Sequence, residues 1–257
     1  MVALDYGIWK CINNIKVVLM DIVKELNDYS CTLIINRPNK MNSLTGGVMF
    51  QLAQEVNKQR IKAEKKILII RGVGEKAFCS GGDLIELSNS GKMEEFIQGL
   101  VLFQKSLLSY PFPVFAMAYG AVIGAGLDIA SLCDIRLAAD NAYFGANLIK
   151  IGKVYHYTSV LRLINLVGFG IASELLLTGT FINALRAERI GLVNRVMLAS
   201  ELESKTYNLA KRIIKESSYG ALMNTKLMLR VIADVRIDDL KPEVKQKLQN
   251  LCIVGND

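Results

Sequence analysis

The stretch Pro113-Val114-Phe115-Ala116-Met117-Ala118-Tyr119-Gly120-Ala121-Val122-Ile123-Gly124-Ala125-Gly126-Leu127-Asp128 decides the fold. Its first half, to Tyr119, is apolar and bounded by Pro113 and Gly120, which predicts a buried strand. The glycines at 120, 124 and 126 then carry the chain into a helix that opens near Gly126. From Val114 to Leu132 the run is apolar enough to imitate a membrane span. Glycines and Asp128 at mid-span make insertion costly, so a buried strand leading into a buried helix is the better reading. Asp128 falls in the first turn of that helix, among apolar neighbours. Two readings of it stay open: a partner for the helix dipole, or a partly buried carboxylate suited to acid–base work.

The same grammar appears upstream in Arg71-Gly72-Val73-Gly74-Glu75-Lys76-Ala77-Phe78-Cys79-Ser80-Gly81-Gly82-Asp83-Leu84. The fully apolar strand Ile67-Leu68-Ile69-Ile70 ends at Gly72, the backbone turns through glycines, and Asp83 caps a helix with Glu86 three positions on. Free N–H groups at such a turn can bind an oxyanion; an ordinary glycine turn has the same composition. Farther out, Thr32 to Asn36 predicts a strand ended by Arg37-Pro38. Gly47 to Lys62 predicts an amphipathic helix through Val48, Leu52 and Val56. Ile135 to Ala138 predicts another strand. Strands apolar on both faces, alternating with helices, imply a parallel sheet covered by helices. Beyond Glu201 the chain reads as helices only: Leu202 to Lys215, Ala221 to Val231, and a tail from Pro242. The organisation expected is an α/β core over residues 1–200 followed by a helical region over 201–257.

Bulk properties narrow the function classes. With 51% hydrophobic residues the chain can bury a large core, and disorder is excluded. A net charge of +7 fits a basic surface, or attraction for a phosphate-bearing ligand or nucleic acid. The five cysteines are odd in number and widely spaced, which speaks against a disulfide framework or a zinc site and fits a reducing cytosol. His156 is the only histidine, so no His-rich metal site is expected, and a Ser-His-Asp or Cys-His device would have to use that residue. No basic segment followed by an apolar run opens the chain, so no signal peptide is expected.

Taken together, the two glycine loops resemble those of the crotonase, or enoyl-CoA hydratase/isomerase, superfamily. The resemblance runs from about Ser30 to Arg230. Asn36-Arg37-Pro38 with Met41-Asn42-Ser43-Leu44 looks like the family's opening motif. Ala77 to Leu84 looks like its first oxyanion loop, and Gly120 to Asp128, with Cys133-Asp134, like its second. Thr178-Gly179 and Ala184 to Asn194 resemble its late helix and strand. The resemblance implies an α/β crotonase (ClpP/crotonase-like) fold of repeated ββα units with a C-terminal helical extension, assembled as a trimer or a dimer of trimers. It implies an acyl-CoA substrate, with coenzyme A entering as part of the substrate and no separate cofactor. It puts the oxyanion hole at the N–H groups of Gly82 and Ala125, where the family's second residue is usually glycine. Asp128 takes the place of an acid/base glutamate. Lys40, Met41, Ser80, Asp83 and Leu84 fall where the family meets coenzyme A, and Lys226 resembles a lysine near the adenine end.

The chain departs from the hydratase pattern in two places. The second catalytic glutamate would fall at Leu148, and leucine cannot move protons. The usual proline-glycine run is replaced by Ile151-Gly152-Lys153-Val154-Tyr155-His156-Tyr157-Thr158-Ser159. That segment is locally similar to the methylmalonyl-CoA decarboxylase branch, whose substrate-positioning tyrosine falls on Tyr155. The branch's histidine in the first oxyanion loop is Gly82 here. A packed aromatic loop would look the same. Decarboxylation or double-bond isomerisation is therefore the expected chemistry, with true hydration as the alternative. A non-catalytic or RNA-binding crotonase-like protein is the other class, since Lys58, Arg60, Lys62, Lys65 and Lys66 crowd nine residues. A solvated helix end explains those charges more simply, so neither nucleic acid nor membrane is an expected partner.

Overall fold

The computed structural model describes residues 8–11, 14–19, 21–62, 64–238, 242–243 and 246. The expected tail beyond Pro242 lies almost wholly outside the described residues.

Two sheets organise the chain. The larger contains β1 (Ile8–Cys11), β2 (Asn14–Leu19), β3 (Ile22–Leu26), β4 (Ser30–Ile35), β5 (Ile67–Gly72), β7 (Val114–Ala118), β9 (Ile135–Ala139) and β12 (Arg195–Met197), in that spatial order. From β4 onward every pairing is parallel. The smaller sheet holds β6 (Ala77–Cys79), β8 (Ala121–Ile123), β10 (Tyr143–Gly145) and β11 (Phe181–Asn183), ordered β11-β10-β8-β6. Successive strand pairs β5/β6, β7/β8 and β9/β10 each give one strand to the large sheet and the next to the small one. A helix follows each pair: α2 (Leu84–Leu87) and α3 (Ser90–Leu108), then α4 (Ala125–Leu132), then α5 (Tyr157–Thr178). These are the repeated ββα units the sequence implies.

The parallel strands are apolar on both faces because both are covered. Side chains alternate across β5. Leu68 and Ile70 join the cluster with α1 (Gly46–Ile61) and α3 through Val48, Leu52, Val56, Phe103 and Leu107. Ile67 and Ile69 join a second cluster with Phe115, Met117 and Leu137, closed by Leu202 and Ala210 of α7 (Ala199–Glu216). The helical region expected from 201 begins with α7. Through Leu202 and Ala210, α7 forms a layer of the core. The remaining helices are α6 (Ala184–Arg189) and α8 (Tyr219–Asp238).

The run from Val114 to Leu132 divides into β7, β8 and α4, nearly all of it buried. Among the described residues, the helix long and apolar enough to cross a membrane, by length and composition alone, is α5. It breaks at Gly168, carries Arg162, and buries Leu163, Ala172 and Leu175 against the body.

Candidate active site

The first glycine loop is braced by the opening motif. Asn42 is buried and holds the turn that follows β5: its amide donates to the carbonyls of Ala77 (2.7 Å) and Val73 (3.1 Å). Arg37 donates to the Ser43 carbonyl (2.7 Å) and to the Asp83 carboxylate (3.0 Å). Asp83 also accepts from the Ile85 N–H and so caps α2, as expected. Burial alone would raise the Asp83 carboxyl; the hydrogen bond and charge of Arg37 outweigh it and hold its pKa below the ordinary value. Leu44 forms a parallel bridge opposite Gly82, its N–H donating to the Gly81 carbonyl and its carbonyl accepting from the Asp83 N–H, both at 2.8 Å. That pattern engages the groups flanking Gly82 and turns the N–H of Gly82 itself to the opposite side.

The second loop ends the neighbouring strand. β6 and β8 run parallel, so both loops leave the same carboxyl edge of the small sheet. Gly126 lies so close to β6 that a Cβ built on it would stand 2.3 Å from the Cys79 carbonyl oxygen. This seats the start of α4 against the first loop. A Cβ on Gly81 would be 3.8 Å from the Ala125 nitrogen, and one on Gly124 3.6 Å from the Gly81 Cα. Ala125 is the first residue of α4, where an N–H has no intrahelical acceptor and the helix dipole is positive. Gly82 and Ala125 are partly exposed, while Gly81, Gly124 and Gly126 are buried. Among the described residues neither amide donates to a protein acceptor. Two outward-facing N–H groups in touching loops can hold an anionic oxygen.

The groups around this pair differ from expectation at Asp128. Instead of apolar neighbours alone, its buried carboxylate meets Arg162 Nη1 at 2.7 Å on one oxygen and Gln104 Nε2 at 2.6 Å on the other. Three helices, α3, α4 and α5, thus converge on one carboxylate. A small cavity beside it is lined by Leu127, Asp128, Ser131, Tyr155, Ser159 and Leu163, among others, which brings Tyr155 and Asp128 together. Burial drives the Tyr155 hydroxyl pKa upward, and the neighbouring Asp128 charge adds to this, so at neutral pH it keeps its proton. Leu148 also faces the site: its Cδ2 lies 3.9 Å from where a Cβ on Gly124 would stand.

The chain is matched over residues 27–251 by the family description Enoyl-CoA hydratase/isomerase. It belongs to that family. A crotonyl-CoA hydratase of Syntrophomonas wolfei is 35% identical over 207 residues, 79% of each chain. A short-chain-enoyl-CoA hydratase of Clostridium acetobutylicum is 31% identical over 215 residues, 82% of each. Among solved structures, an enoyl-CoA hydratase/carnithine racemase from Magnetospirillum magneticum superposes with a TM-score of 0.79 at 28% identity, covering 88% of this chain and 84% of that one. Against this enoyl-CoA hydratase/isomerase background the other expected ligand residues separate. Met41 and Ser80 adjoin the first loop, where the Ser80 N–H donates to the Met41 carbonyl (3.1 Å), and Lys40 stands exposed beside them. Leu84 is 59% exposed on α2.

Lys226 is a correction. Only 6% of it is exposed; its ammonium pairs with Asp134 (2.9 Å) and donates to the Phe112 carbonyl (2.7 Å). It fastens α8 to the body and presents nothing to a ligand. The Asp83 carboxylate is likewise consumed by Arg37 and its cap. Arg162 and Gln104 were not singled out from sequence. Arg162 had a signal, since it and Glu174 are the only charges in the apolar stretch 157–178; Gln104 had none. The basic cluster is partly structural: Lys65 donates to the carbonyls of Ile214 and Ser217 at the end of α7, Lys66 to that of Asn27, and Lys58 to Glu55.

His156 caps α5, its Nδ1 accepting from the Thr158 N–H (3.4 Å). Burial lowers its pKa and Arg162 adds to this, against the pull of Asp128. Below about pH 6.5 the unfolded chain therefore binds more protons at this site than the folded one, so stability falls as pH falls through that window. Protonation also removes the accepting lone pair. We expect His156→Asn, which still caps, to flatten the decline of Tm between about pH 7.5 and 5.5.

Proposed function

We propose that this enoyl-CoA hydratase/isomerase family member decarboxylates a malonyl-type acyl-CoA thioester. The observation that carries the reading is that the proton-moving groups of the site are withdrawn. Leu148 stands where a second acid would be, and both Asp128 oxygens are held, by Arg162 and Gln104. Hydration needs a base for water and an acid for the α-carbon. Isomerisation needs at least one base. Decarboxylation needs neither.

The bond from the α-carbon to the carboxylate breaks, CO₂ leaves, and the electron pair moves onto the thioester oxygen. Gly82 and Ala125 N–H groups hold that enolate. The α-carbon then takes a proton from water or from the Tyr155 hydroxyl. Leu148 contributes an apolar wall beside the departing carboxylate.

Hydration is the second reading, favoured by the names of the relatives from S. wolfei and C. acetobutylicum. A panel of crotonyl-, 3-enoyl- and methylmalonyl-CoA read by mass spectrometry decides. Loss of CO₂ from the last with little turnover of the others is expected; rapid hydration of crotonyl-CoA alone overturns the proposal. Leu148→Glu combined with Arg162→Gln, which restores the second acid and frees Asp128, is expected to create or raise crotonyl-CoA hydration. No change in that variant would mean that the missing acid does not limit hydration.

We further infer assembly as a trimer or a dimer of trimers, supported by the apolar side chains that α5 exposes, Phe169 at 74% and Leu177 at 71%.

A further inference from the structure

We infer that Arg162 is the positioning residue that decides which chemistry this site performs, by holding Asp128 out of service as a base. The inference rests on the thioester reading of the site, though not on which thioester is turned over. Arg162 reaches from α5 to the first turn of α4, with 2.7 Å between guanidinium and carboxylate and side-chain exposures of 17% and 3%. Gln104 closes the other oxygen from α3. Asp128 follows Ala125 by three residues on the same helix and shares a cavity with Tyr155.

A carboxylate so held has a bound cation to lose before it can accept a proton from carbon. In a buried pair that loss is large, because the charges have been taken out of water and compensate each other. In a released state the chemistry would be different. Asp128 would take a proton from the α-carbon of a 3-enoyl thioester, the C–H electron pair would pass into the enolate held by Gly82 and Ala125, and the same acid would return the proton at the γ-carbon. The double bond moves, and nothing is gained or lost. One guanidinium thus separates an enolate-holding site from an isomerase.

The test is exchange of α-hydrogens of butyryl-CoA in D₂O, read by mass spectrometry, which reports proton abstraction alone. The wild-type protein and Arg162→Lys, which keeps the cation, are expected to exchange little above background. Arg162→Gln is expected to exchange at least about tenfold faster, with a rate that rises through one carboxylate ionisation. Arg162→Gln combined with Asp128→Asn is expected to return to background. Wild-type exchange as fast as that of Arg162→Gln, or undiminished exchange in the double variant, overturns the proposal. If Arg162→Gln does not fold, Arg162→His replaces it: exchange absent near pH 5.5 and appearing above about pH 7 supports the proposal, and exchange absent throughout overturns it. Methylmalonyl-CoA is assayed alongside. Its failure to decarboxylate with the expected exchange pattern would remove the proposed reaction and leave the role of Arg162 standing.

Discussion

Replacing Ala125 with proline should lower kcat by about 10²–10³-fold, the loss typical of one oxyanion donor at about 2.7–4 kcal/mol, while the protein stays folded. The position makes this a clean deletion. Ala125 is the first residue of α4, where a helix has no internal acceptor for the N–H and where proline is common. Its N–H donates to no protein group among the described residues, so removing it breaks nothing in the resting fold. Gly124, with φ 57° and ψ −121°, lies in the mirror image of the extended region that residues before proline prefer, which glycine enters freely. The partner amide is not deleted by adding a side chain, since a Cβ on Gly82 keeps the N–H and meets only the mobile end of Leu87 at 2.4 Å. The measurement is kcat and KM on the thioester the wild-type protein turns over best, with circular dichroism as the control. A folded variant within threefold of wild type would mean that the oxygen is held elsewhere.

Why the family resemblance could point to that amide and not to Arg162 is a matter of where the information sits. An oxyanion loop is backbone geometry, and backbone geometry of this kind leaves glycines behind at fixed offsets, as at 81, 82, 124 and 126. The Arg162–Asp128 pair joins residues 34 apart on two helices, and no periodicity records which buried carboxylate a given arginine meets. Lys226 failed for the same reason: a lysine facing phosphate and a lysine facing Asp134 are the same letter. Strands β5, β7 and β9 were legible because both their faces are buried. β3 was not, because Lys24 occupies a buried position, its charge answered by Glu55 of α1 at 2.8 Å, and so hides the apolar pattern. The strands of the small sheet are three residues each, too short for a period to show. Helix α5 lacked a start signal, since its cap is a histidine rather than Ser, Thr, Asp or Asn.

The other large effect belongs to Gly120, where alanine should cost roughly 4 kcal/mol or more and leave little folded protein. Gly120 takes the chain out of β7 in the large sheet and into β8 in the small one. Its φ is +55°, a conformation that costs an alanine about 1–2 kcal/mol. A Cβ there would stand 2.0 Å from the Lys76 carbonyl oxygen and 2.3 Å from its carbon. Both are backbone atoms, and the Lys76 oxygen is already the acceptor for the Ala121 N–H at 3.1 Å. Relieving the clash therefore means moving the turn before β6 away from β8 and giving up the pairing that brings the two glycine loops together. Gly74 is the control that separates the two causes. It too has positive φ, at +72°, but a Cβ on it meets nothing within 4 Å. Gly74→Ala should lose only the conformational part, about 1–2 kcal/mol. Urea midpoints of the two variants give the difference, and equal losses would show that strain rather than the approach to Lys76 sets the requirement. Any Gly120→Ala protein that does fold should still be poor at turnover. The displaced β6–β8 edge carries Gly82 and Ala125 on its two ends, and under the proposed mechanism an oxyanion donor that has drifted from its oxygen stabilises little.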